Sequence, residues 1–363
     1  MIRLLVAWSS LVALPLCVTA GQQPIPTAES LAAGAAIALQ ERRFEDAFAG
    51  FTAAQAMRPN EPSLSYGAGL AAYMMGRESD AEAFLARTLT LQPALTDAAV
   101  LLGELQYRGG RVKDAIGTYR AALAHRPGDA TLSRRLEQWL SDERLEAHFN
   151  QARGAHFRVF FEGPADQALA RRVVEMLEAQ HRRIGELLRS YPDRAIDVVL
   201  YTQRQFQDIT RAPSWAGGAY DGRIRIPALG AGSDVDGLQR VVAHEFVHVL
   251  VAHLGGPDVP AWLNEGLAVV LEPDADPREM QRIVREGAPL QLEELHAGFV
   301  GMSSSKARLA YATSAAAVQR MLEVRGPDAV VLLLKDVATG TPFDRAFRQR
   351  LFLPYSEFQR LSQ

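Results

Sequence analysis

The first third of the sequence repeats itself every 34 residues, and no other feature limits the possible fold as strongly. Three segments, RRFEDAFAGFTAAQAMRP, GRESDAEAFLARTLTLQP and GRVKDAIGTYRAALAHRP, place Ala47, Ala81 and Ala115 at intervals of 34, and Pro59, Pro93 and Pro127 likewise. Phe51, Leu85 and Tyr119 keep the same register. Small residues at fixed positions let two helices approach closely, and a proline stops the second of them. Each helical hairpin leaves an apolar face that only the next hairpin can cover, so the period predicts a stack.

This length and pattern resemble tetratricopeptide repeats, three of them over residues 28–130. The amphipathic stretch ATLSRRLEQWLSDERLEAHF, Ala130 to Phe149, predicts a capping and linking helix over 131–150. The resemblance implies a solenoid whose concave surface takes a protein or peptide partner.

From His156 the texture changes. HFRVFFEG alternates as a strand does, Asp166 to Leu188 has a helical period, and AIDVVLY, Ala195 to Tyr201, is a second strand rich in β-branched residues. Asp221-Gly222 between short extended runs predicts a hairpin. Helices follow to the end, giving an α/β part over 151–233 and a helical part over 234–363.

A net charge of -3 without long single-sign runs excludes the basic footprint of a nucleic-acid binder. At the start, Arg3, an apolar run from Leu4 to Val18 and the small residues Val18-Thr19-Ala20 predict a signal peptide over residues 1–20. Its removal takes Cys17, the single cysteine, and leaves a chain without disulfides. We therefore expect an exported protein, periplasmic or extracellular and most simply of a bacterial envelope, with no membrane span in the mature chain.

The chemistry concentrates in VVAHEFVHVLVAHLGG. Leu238 to Leu254 holds no glycine or proline and ends at Gly255-Gly256-Pro257, which predicts a helix. On it His244 and His248 stand one turn apart on one face and can converge on a metal ion. Glu245, rotated by ~100°, can lie beside that ion without ligating it and take a proton from water that the ion acidifies. The rest of the helix is apolar, and a buried helix carries such groups only with partners. His253, five residues after His248, points elsewhere. A tetrahedral catalytic site needs a third protein ligand. PAWLNEGLAVVLEP, Pro260 to Pro273, offers Glu265 within a short apolar helix, with Glu272 as the alternative. Gly266 would allow close approach to the first helix.

HEFVH followed by WLNEGLA resembles the gluzincin zinc metallopeptidases, and more closely the peptidase MA-like group, over residues 151–363. The resemblance implies one Zn2+ per chain held by His244, His248 and Glu265, with Glu245 as general base. It also implies a role for Tyr311, in LAYATSAAAVQRMLEVRGP, as hydrogen-bond donor to an oxyanion. The hairpin around Tyr220 and Ile224-Arg225-Ile226 would border the cleft, with an exposed edge for an extended peptide. One position departs from the pattern. Where thermolysin-like relatives carry an aspartate that orients a ligating histidine, this chain has Val269. Asp234 and Asp236 are candidates for that task, or caps of the helix.

The expected architecture is mainly α with an α/β part: a helical tetratricopeptide solenoid, then a gluzincin-like α+β metallopeptidase domain. The expected function is zinc-dependent hydrolysis of peptide bonds. The competing expectation is a non-catalytic binding or assembly protein whose metallopeptidase-like domain is inert.

Overall fold

The computed structural model describes residues 26–210, 218–229, 234–287, 290–299 and 301–361. The signal-peptide reading lies outside these residues.

The 34-residue period becomes seven antiparallel helices: α1 (Ala28–Gln40), α2 (Phe44–Met57), α3 (Pro62–Met74), α4 (Glu78–Leu91), α5 (Thr96–Arg108), α6 (Val112–His125) and α7 (Ala130–Glu146). First helices start at 28, 62, 96 and 130 and second helices at 44, 78 and 112, every step being 34. The repeated alanines Ala47, Ala81 and Ala115 have no exposed surface, and Phe51, Leu85 and Tyr119 are buried between hairpins. Each second helix stops two residues before its proline. The turns repeat too: Arg42, Gly76 and Gly110 all have positive φ, 61°, 69° and 75°.

α7 ends at Glu146, short of the predicted stretch, because the chain then enters β1 (Asn150–Arg153). That edge strand is polar and mostly exposed, so it leaves no alternation to read. β2 (Phe157–Phe161), α8 (Gln167–Leu188), β3 (Ile196–Thr202), a short α9 (Gln203–Thr210), β4 (Ala219–Tyr220) and β5 (Ile224–Leu229) follow. The sheet order is β1-β2-β3-β5-β4, with β2, β3 and β5 parallel and the two edges antiparallel. β5 is therefore interior, and the edge of the hairpin around Tyr220 and Ile224-Arg225-Ile226 is β4, which is half-buried rather than exposed.

Alternation sends neighbouring side chains to opposite faces of this sheet. Ile196, Val198 and Leu200 of β3 and Ile224 and Ile226 of β5 join the core formed with α8. Val199 and Tyr201 pack on the other face with Phe206 and Ile209 of α9 and with Leu145 of α7. Helices thus cover both faces, and the first six residues of β3 are all buried.

The remaining helices are α10 (Val235–Gly255), α11 (Ala261–Val270), α12 (Pro277–Glu286), α13 (Ser304–Ala338), broken at Gly326-Pro327, α14 (Phe343–Leu351) and α15 (Tyr355–Leu361). α11 packs on α13 through Gly266, where an added Cβ would lie 2.5 Å from the Ser314 carbonyl oxygen. The close approach is to α13, not to α10 as the sequence suggested. Trp262 of α11 is enclosed by a cluster that includes Phe343 and Tyr355. No helix among the described residues is long and apolar enough to cross a membrane.

The turns of the array rest on this second unit. Arg42 forms an ion pair with Asp258 and donates from Nε to the Gly340 carbonyl at 3.3 Å. Glu78 pairs with Arg194. Gly110 abuts Asp197 and Arg158, and Gly222 of the β4–β5 turn abuts Arg108.

Candidate metal centre

α10 has two faces. Val242, Ala243, Phe246, Val247, Val249 and Leu250 are buried, and Phe246 meets Phe157 of β2 edge to face at 5.6 Å. Gly237, Arg240, Val241, His244, Glu245 and His248, at helical spacing, line a cleft of about 1050 Å³. Tyr220, Ile226 and Ala228 form the opposite wall, and Glu265, Glu272 and Tyr311 also border it. The apolar face fixes the helix on the sheet, and that fixes where the imidazoles point.

The rings of His244 and His248 stand 4.9 Å apart at 84° to one another. Each is held from behind. His244 Nδ1 lies 2.8 Å from Glu272 Oε1, and His248 Nδ1 lies 2.9 Å from Asn264 Oδ1. Carboxylate and amide oxygens only accept, so each Nδ1 is the donor in these contacts and each Nε2 is the ring nitrogen left facing the cleft. Those Nε2 atoms are 3.5 and 3.6 Å from a single atom, Glu265 Oε2.

These separations decide what the group can hold. Ligand atoms ~2.0–2.1 Å from a tetrahedral ion stand about 3.3–3.4 Å from one another. Glu265 Oε2 is buried without a hydrogen-bond partner, as is Glu245 Oε2. Three carboxylates, Glu245, Glu265 and Glu272, surround two imidazoles, so the pocket lacks positive charge. Burial acts against a charged His244, but Glu265 and Glu272 outweigh it and push its pKa up to about 10. A divalent cation would supply that charge without a proton, and the donor set of two imidazoles and one carboxylate suits zinc.

Glu245 is 4% exposed. Burial raises its pKa, reinforced by the nearby carboxylates and opposed by the two histidines. A Cβ on Gly218 would come within 2.5 Å of its Oε1, so only glycine leaves room for the carboxylate there. Burial raises the pKa of Tyr311, the nearby Glu265 carboxylate adds to this, and Phe299 packs edge-on against the ring at 5.0 Å.

The structure therefore brings His244, Glu245, His248, Glu265 and Tyr311 around one point. It places the alternative acid, Glu272, behind His244 rather than beside the Nε2 atoms. Asp234 caps α10 by accepting from Gly237 N at 2.8 Å, Asp236 is exposed, and His253 is exposed away from the cleft. Asn264 and Glu272 hold the imidazoles instead. For Asn264 the one sequence signal was its place beside Glu265, and for Glu272 its seven-residue spacing from Glu265.

Residues 181–352 match the Peptidase MA superfamily. The matched span runs from α8 through α14, so it contains α10, α11 and Tyr311. This peptidase-like domain follows the seven-helix array. Among solved structures, the chain is similar to the first TPR of Spaghetti (RPAP3) bound to an HSP90 peptide. The identity is 16% and the TM-score 0.30, covering 32% of this chain and 96% of that one. It is also similar to the myosin chaperone UNC-45 from C. elegans in complex with an Hsp90 peptide. There the identity is 12% and the TM-score 0.31, covering 90% of this chain but 32%, about a third, of that one. No curated protein matches the sequence significantly.

A second histidine group, His156, Glu178 and His181, also gathers its donor atoms. Its rings stack at 3.9 Å and 14°, so their in-plane lone pairs run in parallel planes and do not meet at a point. His156 Nδ1 is already 2.7 Å from Glu178 Oε2. This group lacks the crossed rings that make the α10 pair suited to an ion.

Proposed function

We propose that the chain is an exported zinc metallopeptidase with one zinc ion held by His244, His248 and Glu265. The observation that carries this reading is the meeting of two Nε2 atoms on one unpartnered carboxylate oxygen at 3.5 and 3.6 Å. Zinc bound there supplies a Lewis acid that polarises a carbonyl and brings the pKa of water near neutrality.

The chain's own residues do the rest. Glu245, with its pKa raised by burial, accepts a proton from the attacking water and delivers it to the departing amine nitrogen. Tyr311, held beside Glu265, offers an O–H to the developing oxyanion. β4, the edge strand among the described residues, offers its outer side to an extended peptide, and Tyr220, Ile226 and Ala228 offer it an apolar wall. The helical array takes a protein partner in this reading. Export rests on the pattern of residues 1–20, and comparing the compartments that hold the full chain and one lacking those residues tests it.

Glu245→Gln tests the chemistry. The variant keeps its zinc and cleaves an unfolded protein substrate ~10²–10⁴-fold more slowly. Cleavage at the wild-type rate by the zinc-loaded variant would overturn the reading.

A further inference from the structure

The cleft wall formed by β4 and β5 is held from behind by the helical array. Ile224 and Ile226 face the core, and Ile226 also lines the cleft, whereas Arg225 between them points the other way. Arg225 has no exposed surface. Its Nη2 lies 2.7 Å from Asp142 Oδ2 of α7, which is equally buried, and also donates to the hydroxyl of Tyr107 of α5. The Tyr107 hydroxyl in turn donates to Asp142 at 2.6 Å. Arg225 Nη1 donates to the Tyr201 hydroxyl at 2.6 Å, and that hydroxyl donates to Glu146 at 2.5 Å. Arg223 Nη1 reaches Glu146 Oε2 at 2.8 Å, so two arginines of the hairpin close on two acids of α7.

A buried guanidinium satisfied in so many directions has one geometry. Moving β5 by an ångström would break charged hydrogen bonds that water cannot replace. We propose that Arg225 is a positioning residue through which the helical array sets the place of the β4–β5 wall and hence the fit of the substrate. The effect on substrate rests on the hydrolase reading above, whereas the effect on the hairpin does not.

The test uses the full chain as wild type, Arg225→Met, Arg225→Lys and Tyr107→Phe, the last removing one hydroxyl and no charge. Amide exchange over residues 219–229 accelerates about tenfold or more in Arg225→Met and less in Tyr107→Phe, while α10 and the zinc content stay as in wild type. KM for a peptide substrate rises on the order of tenfold with kcat nearly unchanged, and Arg225→Lys recovers part of it. Unchanged exchange over 219–229 in the folded variants overturns the proposal, as does acceleration spread evenly over the molecule. If Arg225→Met does not fold, Tyr107→Phe decides by the same readings. A wild type without zinc or activity defeats the hydrolase reading alone, since exchange still reports on the hairpin.

Discussion

His244 and His248 owe their usefulness to the atoms behind them. A neutral imidazole ligand must be of one tautomer and fixed in rotation, and Glu272 and Asn264 supply both by accepting from Nδ1. Asn264→Ala and Glu272→Ala should each weaken zinc binding by ~10–100-fold in a competition titration, with the fold intact. Unaltered affinity in both would mean that these contacts do not orient the ligands. His244, Glu245, His248 and Glu265 could be singled out in the sequence because spacing on a helix and an acid within an apolar run are local features, whereas Tyr311 came only from the family resemblance. The orienting partners of the histidines could not be singled out. Val269 removed the expected aspartate, and the replacement came from Glu272 only because α11 ends at Val270 and turns that acid back toward α10.

At the level of elements, the centre depends on how closely α11 lies on α13. Gly266→Ala would put a Cβ 2.5 Å from the Ser314 carbonyl oxygen, a backbone atom that cannot swing aside. Overpacking of this kind costs ~1–3 kcal/mol, and α11 carries both Asn264 and Glu265. The variant should melt several degrees lower and bind zinc more weakly, with the two losses appearing together in thermal melts with and without added zinc. A wild-type melting temperature would show that the contact relaxes at no cost. The repeat helices, α8 and β2 could be read from periodicity, since each buries one face, whereas β3, buried on both faces, showed as a β-branched run and α10 as a long stretch free of glycine and proline that ends at Gly255-Gly256-Pro257. β1 and α9 could not be read. The first is four residues long with Ala152 as its single apolar residue, and the second is a two-turn helix whose two buried side chains, Phe206 and Ile209, meet a surface made by other parts of the chain.

Over the whole molecule, the array and the peptidase-like domain share a buried ionic seam. GRIRIP reads locally as a strand with one polar face, and nothing local says whether that face meets water or another helix. Here it meets α5 and α7, and Arg225 and Asp142 have no exposed surface. Removing one partner of such a pair leaves an uncompensated buried charge at a cost of ~3–5 kcal/mol. Arg225→Met and Asp142→Leu should each lower stability by about that amount in urea unfolding, and the double variant should lose clearly less than their sum. Additive losses would indicate that the two side chains act independently. The seam also predicts one cooperative thermal transition for the intact chain, and two separated transitions would contradict it.

Zinc at the α10–α11 centre is the claim on which the functional account turns, and elemental analysis of the purified wild type beside His248→Ala measures it directly. The account predicts near one zinc per chain in the wild type and little in the variant, both folded. A folded wild type that carries no zinc and takes up none when it is added would contradict it.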